Sequence, residues 1–105
     1  MTLEELKTKL DTLKLPVSYR QWSIGQAPKL PYLLYYAQSD NNFEADNTVY
    51  FQQNEVVIEL YTNTKNILVE QKLESLLKEI KIPFSWYESY LESEKMFLRA
   101  YEITI

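Results

Sequence analysis

Two stretches with helical spacing, each followed by a proline and then by strand-like sequence, constrain the fold of this chain most. In the first stretch, Thr2 and Glu5 have the spacing of a capping box, and an apolar stripe is formed by Leu3, Leu6, Leu10 and Leu13. Pro16 ends this pattern, because the residue before a proline is pushed towards extended geometry. The sequence therefore predicts a first helix that begins near residue 2 and ends before Pro16.

The second helix is predicted over residues 66–80, and Pro83 follows it. Its core face is formed by Val69, Leu73, Leu76, Leu77 and Ile80. The charged residues of the same stretch are expected to lie mostly on the solvent side; they are Glu70, Lys72, Glu74 and Lys78. Glu74 and Lys78 have the spacing of a favourable i,i+4 ion pair.

Strands are predicted between and after the two helices, over residues 17–22, 32–37, 48–62, 84–91 and 95–105. The second is almost continuously apolar, which predicts a strand covered on both faces. The third is interrupted at residues 52–55, where either a bulge or a turn fits. In the last strand one face is formed by Phe97, Tyr101, Ile103 and Ile105, and the other by Met96, Leu98 and Ala100.

The order of these elements predicts the fold class. It reads α-β-β-β(-β)-α-β-β, with strands adjacent in the sequence and helices between groups of strands. This order favours one α+β domain over residues 1–105, with a mostly antiparallel sheet and both helices packed on one face. Residues 13–19 and 80–86 also resemble each other, since each run follows a helix, contains a proline and opens a strand. Convergence and duplication of a helix–strand–strand unit both explain this similarity.

The residues that the chain lacks exclude most catalytic chemistry. It contains no histidine, no cysteine and a single glycine, Gly25. The sequence therefore offers no imidazole base or metal ligand, no thiolate nucleophile and no glycine-rich phosphate loop. Carboxylates, amines, hydroxyls and aromatic rings remain, and they are sufficient for binding and assembly. We expect a protein that is not an enzyme and that uses no cofactor.

The charge balance bears on possible partners. The net charge is −4 and the two arginines, Arg20 and Arg99, are far apart in the sequence. Binding to a phosphate backbone requires clustered basic residues, so we expect no sequence-specific contact with nucleic acid. No segment approaches the length of a membrane span, and residues 1–10 do not resemble a secretion signal. The expected location is the cytoplasm.

Two groups of acidic residues are candidates for catalytic or metal sites. Glu88, Glu92 and Glu94 surround a predicted hairpin turn, but nothing nearby in the sequence would separate their pKa values, so solvation explains them best. Residues 38–47 form a predicted loop that is rich in Asp and Asn. This loop lacks the central glycine and the ligand spacing of a calcium loop. We predict no metal site in either group.

Phe43 is the one aromatic residue of the 38–47 loop. It either folds back onto the sheet or serves as an anchor for a partner, as interface aromatics often do. The acidic neighbours would then supply charge complementarity to that partner. The residues predicted to form an interface are Asp40, Asn42, Phe43, Glu44 and Asp46.

Five runs of this sequence together resemble a family of small structural proteins of long-tailed phages and prophages of Gram-positive bacteria. The runs are LPVSY at 15–19, APKLPYL at 27–33, DNNFEADN at 40–47, VIELYT at 57–62 and ESYLESEK at 88–95. The pattern covers almost the full chain and is similar to the tail-terminator, or tail-completion, group. It contains no catalytic signature.

The resemblance implies an α+β subunit that forms a hexameric ring on the head-proximal end of the tail tube. Such a ring stops polymerisation of the tube and presents a surface to the head, so the implied partners are other copies of the chain, the major tail tube protein and the head connector. The implied location is the host cytoplasm during assembly and then the virion. Two alternatives stay open: a head-closure, neck or minor tail protein of the same assembly, and a small cellular domain that binds a ligand or a protein.

Overall fold

The computed structural model describes residues 1–40 and 54–105. The helices are α1 (Leu3–Asp11) and α2 (Ile67–Glu79). The strands are β1 (Val17–Tyr19), β2 (Tyr32–Asp40), β3 (Asn54–Thr62), β4 (Ser85–Leu91) and β5 (Met96–Thr104). The element order within these ranges agrees with the α+β order predicted from the sequence.

One five-stranded sheet contains all of these strands, in the spatial order β1-β2-β3-β5-β4. β1 runs parallel to β2, and every other neighbouring pair is antiparallel. The sheet is therefore mostly antiparallel, as predicted. In the described ranges its two outer strands are β1 and β4.

Both helices pack on the same face of the sheet. One core cluster contains Leu6 and Leu10 of α1 together with Leu73 and Leu77 of α2. The sheet contributes alternate residues of its three central strands to this cluster, namely Leu33, Tyr35, Val56, Ile58, Leu60, Tyr101 and Ile103. Because side chains alternate across a strand, this set defines one face, called here the helix-side face. The division of β5 into two faces is confirmed by its register with β3.

The second strand is buried on both faces, as its apolar sequence predicts. Leu33 on the helix-side face is fully buried, and Leu34 on the opposite face is 7% exposed. The strand is longer than predicted, because Ser39 and Asp40 continue the ladder against β3 after a register shift at Gln38, instead of opening a loop. Backbone pairing with β3 thus outweighs the polar sequence there.

The first strand is shorter than the predicted range of 17–22. Arg20 has a φ of +69°, which leaves the extended region and ends the strand after Tyr19. The amide of Gln21 then donates to the carbonyl of Tyr19 at 2.7 Å, which closes a tight turn. The possible interruption at residues 52–55 is only partly described: β3 begins at Asn54, and residues 52 and 53 lie outside the described ranges.

The helix ends follow the capping rules. The Thr2 hydroxyl accepts from the Glu5 amide and the Glu5 carboxylate accepts from the Thr2 amide, so the predicted capping box is present. Asn66 caps α2 by accepting from the Val69 amide. After α1 and α2, Lys14 and Lys81 have φ values of +64° and +62°. The sequence similarity between residues 13–19 and 80–86 thus extends to the backbone where each helix ends.

Candidate functional site

The predicted interface residues fall at the boundary of the described ranges. Asp40 lies at the end of β2, where it is paired with Asn54 of β3. Asn42, Phe43, Glu44 and Asp46 lie outside the described residues. Whether Phe43 serves as an anchor therefore stays a prediction from the sequence.

The acidic residues near the β4–β5 turn do not form one cluster. Glu88 lies on β4, and its Oε1 accepts from Lys65 Nζ at 2.7 Å and from Arg99 Nη1 at 3.2 Å. The hydrogen bond from Lys65, with a smaller effect of Arg99, lowers the pKa of the Glu88 carboxyl below its ordinary value. Glu92 and Glu94 follow β4 in the turn, where the Ser93 hydroxyl donates to Glu94. Glu88 is thus held in its charged form by cations, which is the opposite of what a general acid requires.

Arg99 on β5 is the centre of a charged cluster that the sequence did not reveal. The residue is 8% exposed. Its Nη2 donates to Glu74 at 3.1 Å and its Nη1 to Glu88 at 3.2 Å. Its Nε donates to the Tyr101 hydroxyl at 2.8 Å. The guanidinium also lies 3.7 Å from the centre of the Trp86 ring, in cation–π geometry.

Helix α2 contributes two carboxylates to this cluster. Glu70, predicted to face solvent, is 7% exposed and pairs with Lys65 at 2.8 Å and with Arg99 at 3.7 Å. Glu74, predicted to pair with Lys78, instead accepts from Arg99 and from the Tyr101 hydroxyl, the latter at 2.8 Å. These two expectations were wrong because helical periodicity does not show that β5 places a buried cation beneath α2.

The cluster binds α2 to the outer part of the sheet. It contains two cations, Lys65 and Arg99, and three carboxylates, Glu70, Glu74 and Glu88. Every one of these charged groups has an opposite charge within 4 Å, so the arrangement satisfies its own members. We interpret it as a structural clamp between α2, β4 and β5.

The face of the sheet opposite the helices carries a group of tyrosines around Glu59. The Tyr61 and Tyr36 hydroxyls donate to the two oxygens of the Glu59 carboxylate at 2.7 and 3.2 Å. Burial, with a smaller effect of the Glu59 hydrogen bond, raises the pKa of the Tyr61 hydroxyl. Two ring contacts extend the group: the Arg20 guanidinium lies 4.6 Å from the Tyr36 ring centre, and the ring centres of Tyr32 and Tyr61 are 5.2 Å apart.

Three surface depressions among the described residues have volumes of about 380, 390 and 470 Å³. The first lies at one end of the sheet and is lined by Glu55, Phe84 and Glu102 among others. Over residues 1–40 and 54–105, no group of three acidic residues is placed to hold a metal ion. In the same ranges, neither helix is long and apolar enough to cross a membrane.

Among the described residues, the exposed aromatic side chains of the sheet lie on its two outer strands. On β4, Trp86 is 52% exposed and Tyr87 and Tyr90 are each 47% exposed, and on β1 Tyr19 is 43% exposed. These fractions are high for residues of this size, and the interiors of protein interfaces are enriched in Tyr and Trp. The outer strands are therefore the strongest candidate for a functional surface. No protein-family model and no curated protein matches the sequence.

Proposed function

We propose that this chain is a non-enzymatic structural protein of a long-tailed phage or prophage, a tail terminator that assembles as a hexameric ring on the tail tube. The ring ends polymerisation of the tube and provides the surface that joins the head. The resemblance of the five sequence runs carries this proposal. It implied an α+β subunit, and the chain has that fold class.

The surface chemistry is compatible with this role. A ring subunit needs two surfaces that meet neighbouring copies, and the sheet has two outer strands with exposed aromatic side chains. DNA must pass through the ring without adhering to it. The net charge of −4 favours repulsion of phosphate groups.

The proposed contact with the tube, or with a neighbouring subunit, is the acidic segment 38–47, whose first three residues belong to β2, with Phe43 as its anchor. Replacing Phe43 by Ala is expected to lower assembly and infectivity, because the aromatic ring would supply most of the contact energy. Asn42→Ala is the matched control from the same segment and should have a smaller effect. Normal assembly and infectivity of the Phe43 variant would remove the segment from the proposal.

Deletion of the gene from its phage or prophage tests the function itself, with tail lengths recorded by electron microscopy. Overlong tails of variable length, unattached to heads, are expected, and the gene supplied in trans should restore normal length. Tails of normal length beside unattached heads would instead assign the protein to the neck or head-closure layer. Normal virions would refute any role in assembly and leave the cellular binding domain.

A further inference from the structure

We propose that copies of this chain join edge to edge, with β4 of one copy pairing antiparallel with β1 of the next. The contact would continue the sheet from subunit to subunit and give the acidic edge a basic partner. It rests on the proposed ring, since it specifies which surfaces of neighbouring subunits meet.

The outward backbone groups of β4 follow from the register of the sheet. Asn54 and Ile105 exchange both backbone hydrogen bonds at 2.9 Å, so the odd-numbered residues of β5 point their amides and carbonyls towards β3. The even-numbered residues of β5 therefore point theirs towards β4, where they oppose Ser85, Tyr87, Ser89 and Leu91. This alternation directs the backbone groups of Trp86, Glu88 and Tyr90 away from β5, towards the outer edge.

The outward groups of β1 follow in the same way. The Leu33 amide donates to the Pro16 carbonyl at 2.9 Å, and the Arg20 amide donates to the Tyr35 carbonyl at 2.8 Å. Even-numbered residues of this segment thus face β2. The backbone groups of Val17 and Tyr19 point to the other side. Both edges accordingly present backbone donors and acceptors, the surface that an added strand requires.

Strand direction makes the two edges compatible. β1 and β2 run one way, β3 the opposite way, β5 the first way again and β4 opposite to β5. β4 is therefore antiparallel to β1. A second copy placed beside the first with its helices on the same side would bring its β1 antiparallel to β4. Such a head-to-tail contact uses two different surfaces and can close into a ring.

The side chains at the two edges match as well. The outward backbone positions on both strands carry their side chains on the helix-side face: Trp86 and Tyr90 on β4, and Val17 and Tyr19 on β1. Trp86 is 52%, Tyr90 47% and Tyr19 43% exposed. With Ser18 opposite Ser89, Tyr19 would lie diagonal to both Trp86 and Tyr90, and in the register shifted by two residues it would lie directly opposite Trp86. Both arrangements bring aromatic side chains of the two strands within reach, and aromatic cross-strand pairs stabilise antiparallel strands.

Charge distinguishes this pairing from a symmetric one. Between residues 12 and 38 the charged residues are all basic: Lys14, Arg20 and Lys29. Residues 85–95 carry three glutamates and one lysine. Glu88 is paired with Lys65 and Arg99 within the subunit, so Glu92 and Glu94 supply the acidic charge of this edge. In the antiparallel arrangement the end of β4 that leads to Glu92 and Glu94 meets the end of β1 that follows Lys14. Antiparallel pairing of β4 with a second β4 would instead lack the contact of Glu92 and Glu94 with Lys14.

Engineered disulfides test the pairing directly, because the chain has no cysteine of its own. Ser18 and Ser89 both lie on the face opposite the helices and both direct their backbone groups inward. They would therefore face each other in a non-hydrogen-bonded pair, where Cα atoms are about 4.5 Å apart and a disulfide can form. The first double variant is therefore Ser18→Cys/Ser89→Cys. A second double variant, Ser18→Cys/Tyr87→Cys, tests the register shifted by two residues.

Mild oxidation of a double variant should give a ladder of covalent oligomers, while Ser18→Cys and Ser89→Cys alone stay monomeric. Lys14→Glu should weaken the ladder at least severalfold, and adding Glu92→Lys and Glu94→Lys should restore it. The absence of a ladder from both double variants, or dimers of Ser89→Cys alone in equal yield, would overturn the inference.

The same variants, supplied to the gene-deleted phage, separate this inference from the proposed function. Tails of normal length with no covalent ladder would reject the β4–β1 contact and leave the terminator role intact. If deletion of the gene leaves tail length and head attachment unchanged, the terminator and neck roles both fail, whatever the cross-linking result in purified protein.

Discussion

Replacing Arg99 by Met should destabilise the protein by about 2–3 kcal/mol. The guanidinium is 8% exposed and is bound by Glu74 and Glu88. Removing one partner of a buried ion pair typically costs about 3–5 kcal/mol. The lower value is expected here because the Glu74 and Glu88 side chains are 23% and 27% exposed and so retain some contact with water.

Urea unfolding followed by circular dichroism measures this loss. For a chain of this size, with a slope of about 1–2 kcal/mol per molar urea, the midpoint should fall by about 1–3 M. Arg20→Met is the matched control, because Arg20 also lies over a tyrosine ring and donates to a carbonyl but is exposed. Its loss should stay below about 1 kcal/mol, the range of exposed cation–π contacts.

A second substitution tests the cause of the loss. With Arg99 replaced by Met, the carboxylates of Glu70, Glu74 and Glu88 remain close together with Lys65 as their cation. Adding Glu74→Gln to the Arg99→Met variant should then recover part of the stability, although Glu74→Gln alone should destabilise the unmodified protein. Equal losses for Arg99→Met and Arg20→Met would refute the assignment of Arg99 as the centre of a buried clamp.

Three further measurements test other parts of the structure. The pKa of Glu88 is lowered in the folded state, chiefly by Lys65, so the ionised Glu88 stabilises the fold above the ordinary pKa of 4.5, and this stabilisation is lost as the pH falls below that value. The urea midpoint should therefore drop less between about pH 6 and about pH 3 in Lys65→Met than in the unmodified protein. An unchanged drop would contradict the role of Lys65. Thr2→Ala removes the side-chain acceptor of the α1 capping box and should cost about 1 kcal/mol, with Thr8→Ala on the same helix as a control expected to cost less. Burial raises the pKa of several tyrosines, most strongly those of Tyr61 and Tyr101, so an alkaline ultraviolet titration should leave at least these two protonated until the protein unfolds. Ionisation of all nine tyrosines in one step near the ordinary value would contradict the burial.

The sequence was sufficient to predict most of the fold, because its local signals agree with one another. The capping box at Thr2, the proline at 16 and the leucine spacing of α2 all act over a few residues, and each feature is present. The alternation in β5 likewise predicts which side chains share a face, since a strand that is buried on one side must keep its period of two.

Pairing and burial between distant segments could not be predicted in this way. Glu70 and Glu74 were predicted to face solvent because helical spacing places both on the polar face of α2. Their partner Arg99 comes from β5, 25 residues beyond Glu74. The one available signal was Arg99 itself, a charge between the apolar residues Leu98 and Ala100. The tyrosines around Glu59 were missed for the same reason, because Tyr36 and Glu59 lie on different strands.

The two candidate interaction surfaces differ in the same way, since one could be recognised from the sequence and the other required the strand order. The acidic loop was recognised from composition, but four of its five predicted interface residues lie outside the described ranges. The outer strands became candidates only when the order β1-β2-β3-β5-β4 placed β1 and β4 at opposite sides of the sheet. Strand order depends on tertiary contacts, so sequence periodicity does not contain it.

The most direct test of the proposed function is to add the purified protein to tail tube protein from the same phage while the tubes polymerise, and to measure tube lengths by electron microscopy. A terminator should stop elongation when a few copies per tube end are present, and electron density for a ring should appear at one end of each stopped tube. Tubes that keep elongating at excess protein, with bare ends, would contradict the proposal.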